Sequence, residues 1–238
     1  MTASQRKPDS ELLPKAVIFD MDGVLADTEP IHGECFVRAF ASFGIFTTLE
    51  DYRQAVTLGG STVRDFFFRL GGDPSDWDRV KGLKDSYLQQ MIANRDVLMP
   101  GTKRLLEALR NANIKTAIAT SARRRSLQII LGRTELLEYF DVIVTKDDAE
   151  SEKPDPLLYI VAAQKLGIDP KYCVAIEDSP RGVLAAVRAG MKCIAVPTKS
   201  TADADFSQAY LVIPSLEHVT LEVLRSLFSE DATNRSSV

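Results

Sequence analysis

The chain has 238 residues, enough for one large or two small domains with a buried core. Its 45% hydrophobic and 26% charged residues are ordinary for a soluble globular protein, and its net charge of -4 argues against nucleic acid as a partner, because a phosphate backbone calls for basic patches. Three widely spaced cysteines (Cys35, Cys173, Cys193) and two histidines form neither a disulfide framework nor a zinc pattern, which points to a reducing, cytoplasmic setting, and no apolar run approaches the roughly 20 residues that span a bilayer.

The leader "MTASQRKPDSELLPK" has no apolar h-region and reads as a disordered lead over residues 1–14. "AVIFD" is a short apolar strand that runs straight into acid at Asp20 and Asp22. Between residues 31 and 98, "HGECFVRAFASFG", "STVRDFFFRLGG" and "SDWDRVKGLKDSYLQQMIANRD" read as successive amphipathic helices with no strand between them, so a helical cap interrupts the chain. The aromatics Phe36, Phe40, Phe43 and those of "DFFFRL" are spaced for one buried face, the core of that cap.

From residue 99 strand and helix alternate. "KTAIATS", "FDVIVTKDD", "YCVAIEDS", "KCIAVP" and "AYLVIPS" are strands, separated by "GTKRLLEALRNAN", "RRSLQIILGR", "DPLLYIVAAQKLG" and "PRGVLAAVRAG" as helices, and "LEHVTLEVLRSLF" closes the series. Such alternation predicts an α/β fold, a Rossmann-like parallel sheet core with helices on both faces, built from residues 15–30 and 99–230, with a flexible tail over 231–238. Near-continuous apolar strands fit a sheet covered on both faces.

In open parallel sheets, ligands bind outside the carboxyl ends of the strands. The residues just past those ends are Asp20 and Asp22, Thr120 and Ser121, Lys153 in the segment after the third strand, and Glu177 with Asp178. Each has a bland explanation: a turn acid, a helix cap at Ser121 or Asp178, a solvated lysine. Their convergence on one edge is what demands a cation among them, and oxygen donors without a Cys or His cluster suggest Mg2+.

"FDMDGVLADTEP" resembles the first motif of the haloacid dehalogenase-like hydrolases, "AIATSA" the second, "EKPDPLLY" the third and "AIEDSPRGVLAAVRAG" the fourth, in the family order. The resemblance spans about residues 16–230 and is closest to the subgroup with a helical cap after the first motif, which includes β-phosphoglucomutase and many sugar-phosphate phosphatases. It implies that Asp20 is the nucleophile that becomes an aspartyl-phosphate, splitting one hard hydrolysis into two displacements. Asp22 would protonate the leaving oxygen and then take a proton from water. Mg2+ would be held by the Asp20 carboxylate, the Asp22 carbonyl and Asp178, with Glu177 nearby or ligating. Ser121 and the Ala122 backbone would bind the phosphoryl oxygens, and Lys153 would balance their charge. Members that remove halide lack an acid at the place of Asp22, so dehalogenation is not expected.

The cap decides the substrate, and here the pattern departs from the mutase. "LGGSTVRDF" has Thr62 directly after Ser61, where the mutase carries a phosphate-gripping arginine; Arg64 follows two residues later. "GLKDSY" has Leu83 at the place of the cap lysine, with Lys84 next. These departures favour a Mg2+-dependent phosphatase for a small phosphorylated metabolite, such as a sugar phosphate, over a β-phosphoglucomutase-type mutase; Arg64, Lys81 or Lys84 turned inward would restore the mutase alternative. Thr28 and His32 match hinge residues that contact the acid in that family, though a helix start with a locally bonded histidine explains them equally. Arg123–Arg125 read as solvated helix surface. A phospho-acceptor signalling domain is the alternative from another class; its usual form is half this length and has no cap. Nothing in the sequence calls for more than a monomer.

Overall fold

The computed structural model describes residues 13–93, 95–149 and 151–234. Most of the expected lead and residues 235–238 of the expected tail lie outside the described residues.

A six-stranded parallel sheet forms the centre, with strands β1 (Ala16–Phe19), β2 (Lys115–Ala119), β3 (Val142–Val144), β4 (Cys173–Glu177), β5 (Lys192–Ala195) and β6 (Leu211–Val212) in the order β3-β2-β1-β4-β5-β6. The chain leaves β1 toward β2 and β3, then returns to lay β4 on the other side of β1. Strand order therefore reverses at β1 and β4, and a crevice opens at their carboxyl ends.

Strand period sorts the side chains onto two faces. Val17, Phe19, Ile118, Val174, Ile176 and Ile194 enter one apolar cluster with helices α5 (Thr102–Asn111), α6 (Arg124–Leu131) and α9 (Leu221–Asn234). The opposite face is mostly small: Ala16, Ala117, Ala119, Cys173, Ala175, Cys193 and Ala195 meet Ala162, Ala163, Ala185 and Ala186 of α7 (Leu157–Leu166) and α8 (Pro180–Arg188). Small residues on both partners let these two helices lie close on the sheet, which matters because both carry groups to the crevice.

Between β1 and α5 lie α1 (Glu29–Ala41), α2 (Leu49–Tyr52), α3 (Val63–Arg69) and α4 (Trp77–Ile92), with no strand between them among the described residues. An aromatic core of their own holds them: Phe40, Tyr52, Phe66 and Phe67 are buried together, and Phe36 stacks on Trp77 at 6.2 Å. The lower ends of α1 and α4 instead send Ile31, Cys35, Leu88 and Ile92 into the main cluster. The two connecting segments run side by side, Asp27 N–H donating to Val97 O at 2.7 Å and Met99 N–H to Leu25 O at 3.0 Å. α2 continues as a π-helical turn over Arg53–Leu58, which the sequence pattern does not mark. Among the described residues, no helix is long and apolar enough to cross a membrane.

Candidate active site

Asp20 stands one residue past β1, yet its amide still donates to Ile176 O at 3.0 Å, so the sheet ladder fixes its backbone. Thr120 and Val196 continue the ladder in the same way, to Val144 O and Glu177 O. Polar side chains on such backbone have few ways to move, which suits a reacting centre. The chain then turns tightly: Leu25 and Ala26 N–H donate to Met21 O, and Gly23 N–H to Ala26 O. Gly23 is held at φ +79°, and a Cβ there would lie 2.1 Å from Asp178 Oδ2, so the turn brings its backbone directly against that carboxylate.

Beneath Asp20 is a buried network. The Lys153 ammonium donates to Asp20 Oδ1 and to Glu177 Oε1, the latter at 2.6 Å. Tyr159 of α7 donates its hydroxyl to the same Glu177 oxygen at 2.6 Å. The other Glu177 oxygen accepts from the Asp178 amide at 3.2 Å and the Ser179 hydroxyl at 3.4 Å. Ser179 also caps α8 through Gly182 N–H, and a Cβ on Gly182 would collide with the Glu177 carboxylate at 1.9–2.0 Å. The segment "EDSPRG" is thus a fitted socket in which each small or hydroxylic residue leaves room for, or donates to, Glu177.

Burial pushes the Asp20 carboxyl up, to about 7; Lys153 opposes this, while the charges of Glu177 and Asp22 add to it. Burial works against the Lys153 charge too, but Asp20 and Glu177 outweigh it and hold the ammonium above its ordinary value. Asp22 is in a different situation. Burial disfavours its ionisation, yet His32, Thr28 and the charge of Lys84 keep its carboxyl below the usual range. Its Oδ1 accepts from Thr28 Oγ1 at 2.5 Å and is 3.0 Å from His32 Nε2. Both readings of this segment are found: Thr28 is the N-cap residue of α1 with Pro30 in the first turn, and Thr28 and His32 contact the acid.

The crevice is a cavity of about 270 Å³. Asp20, Asp22, Ser121, Ala122, Lys153 and Asp178 all line it, as the sequence reading expects. The Ala122 amide, expected to face the phosphoryl group, donates instead to Thr120 Oγ1 at 3.0 Å. Tyr52, Val56 and Thr57 of the α2 and π-turn segment form the roof, and Arg181 and Thr201 close the sides. None of these five was singled out from sequence. Arg181 stands inside the fourth motif and carries a charge, the only signal that could have marked it.

The expected cap residues do not join them. Ser61, Arg64 and Lys84 are absent from the cavity lining. Arg64 is exposed, its guanidinium 5.2 Å above the Phe68 ring. Ser61 is half-buried, its amide bonded to Ala55 O. Lys84 does turn inward: it is buried, with Nζ 3.4 Å from Asp85 Oδ1 and 3.5 Å from Ser126 Oγ across on α6.

Asp20, Glu177 and Asp178 each offer a carboxylate oxygen, all within 4.8 Å of one another. With Lys153 as the ammonium bonded to Asp20 and Glu177, this is a surplus of buried negative charge, the donor set of a hard cation. Both Glu177 oxygens already accept protein donors, so the set fits Asp20 and Asp178 as direct ligands with Glu177 behind them.

Comparison with known proteins bears on this site. Residues 17–196 match the family model of the haloacid dehalogenase-like hydrolases. The chain belongs to that family. It is 33% identical to Protein CbbY of Rhodobacter capsulatus, over 90% of this chain and 98% of that one. It is 35% identical to a phosphorylated carbohydrates phosphatase of Thermotoga maritima, over 76% of this chain and 83% of that one. Among solved structures, CbbY of Rhodobacter sphaeroides in complex with xylulose-(1,5)bisphosphate superposes with a TM-score of 0.78 at 28% identity, covering 87% of this chain and 96% of that one. The β-phosphoglucomutase of Clostridium difficile shares the fold, with a TM-score of 0.79 at 22% identity over 93% and 100% of the two chains. As a member of the haloacid dehalogenase-like hydrolases the chain is a phosphoric monoester hydrolase, and the signalling-domain alternative falls away.

Proposed function

We propose that the chain is a Mg2+-dependent phosphatase that hydrolyses a small phosphorylated metabolite, a sugar phosphate, through an aspartyl-phosphate on Asp20. The observation that carries this reading is the pairing of two acids in opposite electrostatic states. Asp20 is bound to a buried ammonium, and Asp22 hangs on a hinge threonine and histidine at the mouth of the same cavity. The relatives named for phosphorylated carbohydrates and the CbbY complex with a sugar bisphosphate support the substrate class.

Asp20 attacks phosphorus; the P–O bond to the leaving group breaks, and that oxygen takes the proton held by Asp22. Asp22, now a carboxylate, accepts a proton from the water that attacks the aspartyl-phosphate, which frees inorganic phosphate and restores Asp20. An Asp22 held below the usual range is a poor acid while the site is empty. A phosphate dianion arriving beside it disfavours its charge and raises its affinity for the proton, so the substrate itself prepares the acid. Lys153 and the Ser121 hydroxyl oppose the charge on the transferring group. Asp20, Asp178 and the Asp22 carbonyl would hold Mg2+, which would supply charge neutralisation between two anions that otherwise repel. Residues 31–98 act as a cap on the paired 25–28 and 97–99 segments, shutting water out when closed.

One observation favours the mutase as a second reading: Lys84 is buried between α4 and α6, so a cap cation does point inward. The test is phosphate release from a panel of sugar, polyol and nucleotide phosphates with Mg2+, beside an Asp20→Asn control. Release that the control lacks supports the phosphatase. Isomerisation of β-glucose 1-phosphate in the presence of a bisphosphate primer, without net release, would replace it by the mutase.

A further inference from the structure

Two arginines bridge the cap and the α/β core, and they tie the cap to different things. Arg53, in the π-helical turn, reaches down to the loop after β5, its Nε donating to Ser200 O at 3.2 Å and its Nη2 to Asp203 Oδ2 at 3.3 Å. Arg181, half-buried at the start of α8, reaches up. Its Nε and Nη2 both donate to the Lys153 carbonyl, at 3.0 and 2.5 Å, and its Nη1 donates to the Gly60 carbonyl of the cap at 3.1 Å. A guanidinium is a rigid planar fork, so these bonds are not independent: holding one acceptor orients the donors for the other. Arg181 thereby joins the cap backbone to the backbone of the residue whose ammonium binds Asp20 and Glu177. Arg53 makes no such connection.

We infer that Arg181 is a positioning residue that couples cap closure to the placement of the Lys153 ammonium. With the cap down, Gly60 completes the fork and the Lys153 carbonyl is clamped by two donors. With the cap raised, Nη1 loses its acceptor and the fork is free to swing off the lysine loop. Lys153 is then fully placed only when the cavity is covered, which ties charge balance at the transferring group to the exclusion of water. Nothing in the four motifs requires an arginine here, and the fork geometry explains why a lysine would not replace it, since one ammonium cannot hold both carbonyls in a plane. This inference rests on the phosphatase reading for its kinetic consequence but not for its structural one.

The experiment compares Arg181→Ala, Arg181→Lys and Arg53→Ala in the full chain, with p-nitrophenyl phosphate and Mg2+ as the kinetic probe and hydrogen exchange as a readout independent of turnover. Arg53→Ala removes a cap latch alone and is expected to raise KM while leaving kcat within about twofold. Arg181→Ala is expected to lower kcat about tenfold or more, with Arg181→Lys recovering only part. In exchange, Arg181→Ala should loosen the peptide over residues 151–158, whereas Arg53→Ala should loosen 198–204 and leave 151–158 as in the unsubstituted protein. Equal loosening of 151–158 by both variants would overturn the coupling in favour of general cap destabilisation. So would an Arg181→Ala protein with unchanged kcat and unchanged exchange. If the unsubstituted protein turns over no phosphoester, the phosphatase reading fails, and the exchange pattern still decides the link between Arg181 and the lysine loop.

Discussion

Around Asp20 the polar side chains bond across elements: Lys153 to Asp20 and Glu177, Tyr159 to Glu177, and Asp22 to Thr28 and His32. In the block over residues 31–98 many charges pair with near neighbours in sequence, Lys81 with Asp78 and Arg79 with Asp76, and meet the aromatic core through ring faces, as Arg79 does over Phe43 at 5.0 Å. The first region is a network whose members cannot be exchanged singly, because a buried charge without its partner is costly. The second is a packed scaffold whose polar surface is free to vary. A family that keeps one reaction and changes substrates needs this division, with chemistry on rigid strand ends and selectivity on helices that tolerate new surfaces.

The largest test of that contrast sets the two buried lysines against each other. Lys153→Met leaves Asp20 and Glu177 buried without their cation and is expected to destabilise the fold by about 3–5 kcal/mol and to abolish turnover. Lys84→Met removes an ammonium that lies 5.6 Å from the Phe36 ring centroid, makes long contacts to Asp85 and Ser126, and adds its charge to those that hold Asp22 down. It should cost about 1 kcal/mol or less in thermal or denaturant unfolding. Equal losses from the two would mean that the cap carries a polar network as demanding as the core's.

Packing gives the next test. Phe67 is fully buried, with ring centroids 5.0 Å from Phe40 and 5.8 Å from Trp77. Phe67→Ala should lower stability by about 3–4 kcal/mol, seen as a shifted urea midpoint. Hydrogen exchange should rise throughout 31–92 before it rises in β1 or β4, if the aromatic core is the cap's own support.

How much of this was legible in the sequence follows the same division. The strand ends stood out because an apolar run that stops at two acids breaks its own pattern, and four such breaks in a β-α series share one edge by topology. Which of Arg64, Lys81 and Lys84 turns inward was left open in the sequence but was legible there: Val80, Lys84 and Leu88 stand four apart on α4, so Lys84 lies in the buried stripe, while Leu83 packs on the aromatic cluster. The π-helical turn at Arg53–Leu58 was not legible, since "RQAVTL" has no apolar period and i→i+5 bonding leaves no composition signal. Nor was the capture of the Ala122 amide by Thr120, which depends on how a single side chain turns after β2 leaves the sheet.

The raised Asp20 carboxyl gives a smaller effect with a definite sign. Its ordinary value is about 4 in an unfolded chain, and burial lifts it to about 7 here. A carboxyl raised on folding favours the protonated folded state, so its contribution to stability without metal is present below about pH 4 and is lost as pH rises through about 7. Mg2+ requires the ionised carboxylate and must displace a proton at low pH. Millimolar Mg2+ should therefore raise Tm by several degrees at pH 8 and by clearly less at pH 5. The same gain at both values would remove Asp20 from the cation site.

The smallest effect is expected at Arg64, and it sharpens the comparison from the side of the cap. This arginine is exposed on α3, lies over Phe68 rather than over the cavity, and is missing from the lining that Asp20 and Asp22 share. An exposed cation over an aromatic face is worth about 0.5–1 kcal/mol at most, so Arg64→Ala should shift Tm by only a few degrees. With p-nitrophenyl phosphate, which offers no second charged group, kcat/KM should change less than about twofold. A sugar bisphosphate is the discriminating substrate. If Arg64→Ala also leaves its kcat/KM unchanged, the outward arginine is surface and substrate choice lies with the roof at Tyr52, Val56 and Thr57. A selective loss for the bisphosphate would mean that substrate binding swings Arg64 over the cavity, and the cap would then contribute charge as well as shape.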